Sequence, residues 1–195
     1  FLELDLPGTS IVSRKTPGNP EKYLLYNDCL LGQFDPVVPD GCGAQFAACA
    51  ERLGKLAAHP EWGYLFRSAA ALCRVLEIKA ELGIRTRRAY SAASRAGLRE
   101  LLPDYEALEA RLDAFYLAFR TQWFRENRPQ GFEVQDLRLG GLIRRVKSCR
   151  MRLQSFCDGE IDRIEELEEP LLEAHAGKRP LNFNEWQKNV TTAVI

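Results

Sequence analysis

The 195-residue chain has no net charge to speak of: Lys plus Arg and Asp plus Glu both count 27. Without a global positive field, overall electrostatics do not hold it on a phosphate backbone or an anionic membrane, so any basic patch must be local. It also lacks an apolar run approaching the roughly 20 residues of a membrane span, and its first residues, FLELDLPGTS, carry no basic flank leading into an apolar core. These absences predict a protein without a membrane or nucleic-acid partner. Six cysteines (Cys29, Cys42, Cys49, Cys73, Cys149, Cys157) form no C-x-x-C pair, and the two histidines, His59 and His175, stand at no zinc-ligand or Glu-x-x-His spacing. No metal site and no cofactor are expected, and dispersed thiols on apolar helix faces fit reduced cysteines and a cytoplasmic home. There is no G-x-S-x-G nucleophile elbow, no phosphate loop and no internal repeat. Catalytic residues are therefore expected to be none.

What the chain does have is apolar material, 46% of its residues, arranged in two different ways. Residues 1–39 hold Pro7, Pro17, Pro20, Pro36 and Pro39 with Gly8, Gly18 and Gly32, a density that removes amide donors and predicts an extended, turn-rich arm. Within the arm, YLLYNDCLLGQFD (Tyr23 to Asp35) is too apolar to be left in water and must lie against something. The abrupt apolar start reads as the continuation of an earlier domain.

From residue 40 to 195 the spacing is helical. Asp40 is placed as the N-cap of a helix to about Ala58, with Phe46, Cys49, Ala50, Leu53 and Leu56 inward. A second helix from about Glu61 is apolar on both flanks, as a central bundle helix is. Gly97 and Pro103 are read as a connecting turn before a third helix, Asp104 to about Asn127, whose row Tyr105, Leu108, Leu112, Phe115, Phe119 and Trp123 is evenly spaced and so core. A fourth, Phe132 to Phe156, ends at Asp158-Gly159, and a short acidic helix spans Ile161 to about Glu173. The fold class is all-α: an antiparallel bundle of about four long helices plus short ones, with an extended Pro/Gly-rich N-terminal arm.

The fourth helix has two readings. Its cations (Arg138, Arg144, Arg145, Lys147, Arg150, Arg152) advance around the cylinder, whereas Val134, Leu137, Leu142, Val146, Cys149, Leu153 and Phe156 make a regular buried face. Packing is favoured over a basic binding surface, with part of the positive charge paired to the seven acidic side chains between Glu160 and Glu173. Gly140-Gly141 inside this helix costs about 2 kcal/mol relative to alanine, which calls for close approach of another backbone or of a ring such as Trp62 or Trp123.

Three stretches carry a family likeness: LPGTSIVSRKTPGNPEKYLLYNDCLLGQFD, LCRVLEIKAELGIRTRRAY and QWFRENRPQGFEVQDLRLGGLIRRVKSCRMRL. Together they resemble the C-terminal α-helical domain of a bacterial branch of glycoside hydrolase family 20, the exo-acting β-N-acetylhexosaminidases of hexosaminidase C type. Tyr26-Asn27-Asp28, Glu81 to Arg85 and Gln135 to Gly141 are its most specific parts, and Cys29 departs from an expected proline. The resemblance implies an enzyme whose catalytic part lies elsewhere. In that family an Asp-Glu pair on a (β/α)₈ barrel performs substrate-assisted hydrolysis; no Asp-Glu dipeptide occurs in this chain, and a barrel needs about 200 residues or more. The implied partners are the catalytic barrel of the same polypeptide, a second copy in a homodimer, and a carbohydrate substrate held mainly by the barrel. Asn27, Asp28 and Asp35 are candidates for the rim of the sugar pocket, with turn capping as their plain alternative. Asp136 and Arg138 form a second candidate cluster, Asp136 being equally explained by helix N-terminal electrostatics. Trp186, among amides, either stacks on a sugar or anchors the C-terminal segment. The competing function is a free-standing helical interaction or nucleic-acid-binding module using the basic helix 132–156.

Overall fold

The computed structural model describes residues 23–32 and 35–171. Among these every regular element is helical: α1 (Tyr23–Tyr26), a 3₁₀ turn (Asp35–Val37), α2 (Cys42–Lys55), α3 (Gly63–Ser91), α4 (Arg95–Glu126), α5 (Phe132–Asp158) and α6 (Glu165–Glu168). The expected all-α bundle with four long helices is what forms. Consecutive long helices pack side by side, so α2, α3, α4 and α5 form a folded row, with α1 laid on α3. Each neighbouring pair is antiparallel. Between α3 and α4, Arg85 bonds Asp104 while Tyr64 bonds Glu126; between α4 and α5, Tyr116 bonds Asp136 while Arg99 bonds Asp158.

α3 is central, as its double apolar flank predicts. Val75, Leu76 and Leu82 are fully buried, and so is Thr86, whose Oγ1 lies 2.9 Å from the buried Tyr105 hydroxyl of α4. The α4 row buries Leu98, Leu101, Tyr105, Leu108, Leu112 and Phe115 at three- and four-residue intervals. Phe119 and Trp123 continue it into an aromatic group around Phe132, the first residue of α5. Gly159, at φ 78°, closes α5 where the Asp-Gly signal puts its end.

Several local expectations are corrected. Asp40 is not the cap of α2: Gly41, at φ 70°, occupies that position with no side-chain bond, and the Glu81 carboxylate of α3 accepts from the Gly41 amide at 2.7 Å instead. α4 begins nine residues before Asp104, at Arg95, behind Ser94, whose hydroxyl accepts from the Gly97 amide at 3.0 Å. Gly97 and Pro103 therefore lie inside the helix; the exposed ring of Pro103 is tolerated because Leu98, Leu101 and Tyr105 around it are buried and hold the segment helical. Leu56 and Trp62 face solvent. In α5 the inward residue of the early turns is Leu139, while Leu137 is 43% exposed. Within its described residues the acidic segment forms the single turn α6; its predicted end, Glu173, lies outside the described residues, as do residues 1–22 of the arm.

Candidate functional site

The polar chemistry of the described residues concentrates where the arm crosses the bundle. Leu24, Cys29 and Leu30 are buried, and they carry their backbone down with them, so its carbonyls need donors. Two cations from α3 supply these. Lys79, itself only 3% exposed, donates to the Asn27 carbonyl, and Arg87 donates to the carbonyls of Leu30 and Leu167. The backbone of the arm lies against Gly83: a Cβ there would sit 3.3 Å from both the Cα and the carbonyl oxygen of Cys29. That contact explains the glycine in Glu81 to Arg85. Of the same motif, Glu81 holds the start of α2 and Arg85 pairs with Asp104 of α4 at 2.7 Å.

Asn27, Asp28 and Asp35 come together here, and each has a partner within the domain. Asp28 Oδ1 accepts from the amides of Leu30 and Leu31, both at 2.9 Å, which is the expected turn capping. Its carboxylate also receives a two-pronged guanidinium from Arg145 of α5 at 2.5 and 3.0 Å. Burial pushes the Asp28 carboxyl up, but the Arg145 bonds and the two amides outweigh it and hold it below its ordinary 3.8. Asn27 donates to Asp35 Oδ1 at 2.8 Å, and Arg87 Nε stands 3.7 Å from Asp35 Oδ2. For Asp35 the balance is reversed: burial raises its pKa, and Asn27, Arg87 and Lys79 only partly offset it. Burial pushes the Tyr26 hydroxyl up to about 12, against the opposing pull of the Arg138 guanidinium.

Asp136 and Arg138 do not form one cluster. Two positions apart on α5, they point about 200° around the cylinder from each other; Asp136 accepts from the Tyr116 hydroxyl of α4 at 2.8 Å, while Arg138 acts electrostatically on Tyr26 of the arm. Trp186 lies outside the described residues. Arg152 bonds Glu165 and Glu166, which is the pairing with the acidic segment that the sequence suggested, and Arg150 bonds Glu106 and Glu109 of α4. Close packing at Gly140-Gly141 is not found: among the described residues nothing lies within 4 Å of a Cβ built at either. Lys79, Gly83 and Arg87 are the site residues that sequence reasoning missed. The available signal was a lysine set among Val75, Leu76, Ala80 and Leu82 on a helix buried on both flanks.

Among the described residues no group of three or more His, Cys, Asp or Glu could hold a metal ion, and no helix is long and apolar enough to cross a membrane. All six cysteines are free, five of them buried, and burial raises the thiol pKa of Cys29, Cys42, Cys149 and Cys157, so these are packing residues rather than nucleophiles. A helical array whose buried polar groups bind its own N-terminal segment is a structural domain. The chain matches the family model of the Glycoside Hydrolase 20C C-terminal domain over residues 3–182, and it belongs to that family. No curated protein matches it.

Proposed function

We propose that the chain is the non-catalytic C-terminal helical domain of an exo-β-N-acetylhexosaminidase, and that it braces the (β/α)₈ barrel of the same polypeptide. Residues 1–39 are then the connection from the barrel and 40–195 the helical domain. The observation that carries this reading is the clamp on Tyr23–Gly32, where side chains from α3 and α5 bind an arm continuous with whatever precedes it. A tether held at several points transmits position, which a flexible linker cannot do. The lack of an Asp-Glu dipeptide in the chain supports placing the chemistry on the barrel. The free thiols fit a reducing, cytoplasmic setting, and the family likeness of the sequence points to a bacterial source. Asn27, Asp28 and Asp35 serve as parts of the clamp, a role that requires no contact with sugar.

The test is hydrolysis of a chromogenic N-acetyl-β-glucosaminide by the 195-residue chain and by the polypeptide that includes the preceding barrel. Turnover by the longer protein alone is expected. Enzyme-like turnover by the 195-residue chain, or none by the longer protein, overturns the assignment.

A further inference from the structure

α2 and α4 both pack on α3, and between them, with α3 as its floor, lies a cavity of about 380 Å³. Its walls are apolar: Leu53 of α2, Leu65 and Leu72 of α3, and Phe115 and Phe119 of α4. Polar links across the helices bound it at both ends. Beyond Leu72, Arg74 reaches Glu51 of α2 at 3.8 Å and Glu77 at 3.0 Å, and Arg111 of α4 holds Glu77 at 2.9 Å. Before Leu65, the Tyr64 hydroxyl donates to Glu126 of α4 at 2.7 Å. From Leu65 to Leu72 the helix rises about 11 Å, and an equal length of peptide helix, about 10 Å across, needs about twice the volume available. The space is that of a small-molecule site.

Two polar side chains define the guest. Ser68, midway along the floor, lines the cavity and is only 4% exposed. Among the described residues its hydroxyl has no hydrogen-bond partner, whereas Thr86 and Thr121 return theirs to carbonyls one turn back at 2.8 and 2.9 Å. A buried hydroxyl in an apolar wall is costly until something pairs with it. Gln122 of α4, also on the wall, gives its Nε2 to Glu126 at 3.2 Å, so what it offers the cavity is a carbonyl oxygen, an acceptor. No charged side chain lines the space, so an ionic guest would lose its hydration without gaining a counter-charge. The rings of Phe115 and Phe119, 5.8 Å apart with 20° between their planes, present a flat aromatic wall. We propose that this cavity is a binding site for a small, neutral aromatic alcohol. Its ring lies between Leu53 and the Phe115–Phe119 wall, Ser68 donates to its oxygen, and Gln122 Oε1 accepts from its hydroxyl. The site uses α2, α3 and α4 alone, so it stands independently of what module precedes the chain.

The 195-residue chain is titrated with three probes of one shape, p-cresol, toluene and p-toluate, and followed through its amide NMR spectrum. We expect p-cresol to shift the amides of residues 65–72 and 115–122 saturably, with a dissociation constant of about 1 mM or lower. Toluene, which lacks the hydroxyl, should bind about three- to tenfold more weakly, and the p-toluate anion should not bind. Ser68→Ala should weaken p-cresol by the same factor and leave toluene unchanged. Ala69→Phe, which fills the cavity from its wall, should abolish binding of both while amides distant from the cavity keep their positions. Equal binding of p-cresol and toluene by the unaltered chain overturns the proposal, as do saturable binding of p-toluate, shifts that map away from the cavity, and no saturable binding at all. So does p-cresol affinity that survives either substitution in a folded variant. The comparison of the three probes on the unaltered chain needs no variant, so it decides the matter even where a substitution disturbs the packing.

Discussion

Arg145 of α5 and Asp28 of the arm, 117 residues apart in the chain, meet through two hydrogen bonds of 2.5 and 3.0 Å, which tie the arm to the last long helix of the row. The pair is partly shielded, with 35% and 19% of the two side chains exposed. Arg145→Ala is expected to destabilise the domain by about 2 kcal/mol, less than a fully buried pair but more than a surface one. Urea unfolding of the two proteins measures it. A loss under about 0.5 kcal/mol would class the pair with ordinary surface bridges.

The carboxyls of Asp28 and Asp35 should titrate on opposite sides of their ordinary 3.8, Asp28 below and Asp35 above. The consequences for stability have opposite signs. Asp28, with its folded pKa depressed, contributes stability that is present above 3.8 and lost as pH falls through the folded value. Asp35, with its folded pKa raised, contributes stability that is present below 3.8 and lost as pH rises through the folded value. Carboxyl carbon shifts followed by NMR against pH give both values directly, and Asp28→Asn should flatten the acid limb of the stability curve.

Lys79 holds a buried carbonyl, that of Asn27, from 52 residues away. Lys79→Met keeps the apolar stem but leaves that oxygen without its donor, so a loss of about 1–3 kcal/mol is expected. The loss should be less than additive with Arg145→Ala, because both changes release the same segment. A double-mutant cycle by thermal or urea unfolding reads the coupling, expected at about 0.5 kcal/mol or more; strict additivity would mean that the arm is not held as one unit.

Two glycines on α2 should respond oppositely to alanine. At Gly43 a Cβ would stand 2.6 Å from the Glu77 carbonyl oxygen of α3, so Gly43→Ala must push the two helices apart and cost about 2 kcal/mol or more. At Gly54 nothing among the described residues lies within 4 Å of a Cβ, and Gly54→Ala is expected to add up to about 1 kcal/mol through helix propensity. Shifts of the thermal midpoint in opposite directions confirm the packing of α2 on α3.

Pro103 gives a further check on α4. Its ring is exposed and lies inside the helix, where it removes one backbone bond, so Pro103→Ala should raise stability by about 1 kcal/mol or more. An unchanged or lowered midpoint would show that the local backbone has adapted to the proline.

The helical class, the central position of α3, the aromatic row of α4 and the end of α5 at Gly159 were all legible, because each depends on spacing along one helix. The start of α4 was not. Pro103 and Gly97 are strong local breakers, and their signal was overridden by burial of Leu98 and Leu101, which only a neighbouring helix supplies. In the same way Leu137 fits an apolar period yet faces outward, since the position of α4 and the arm decides which arc of α5 is covered. At the candidate site, the sequence picked out Asn27, Asp28 and Asp35 as a group, and turn capping by Asp28 was foreseen. Lys79, Arg87 and Gly83 were not, because their partners are main-chain atoms of the arm that sequence spacing does not locate.

By itself, then, the sequence determined the all-α class, the family, and the absence of an Asp-Glu dipeptide, since these depend on local periodicity and on which residues are present. Only the tertiary structure decided that the arm is clamped by α3 and α5 and that, among the described residues, Gly140-Gly141 is open rather than packed. The reason is physical: hydrogen bonds and ion pairs between residues 50 to 120 positions apart are set by how helices dock, and docking is a property of whole faces rather than of any one segment.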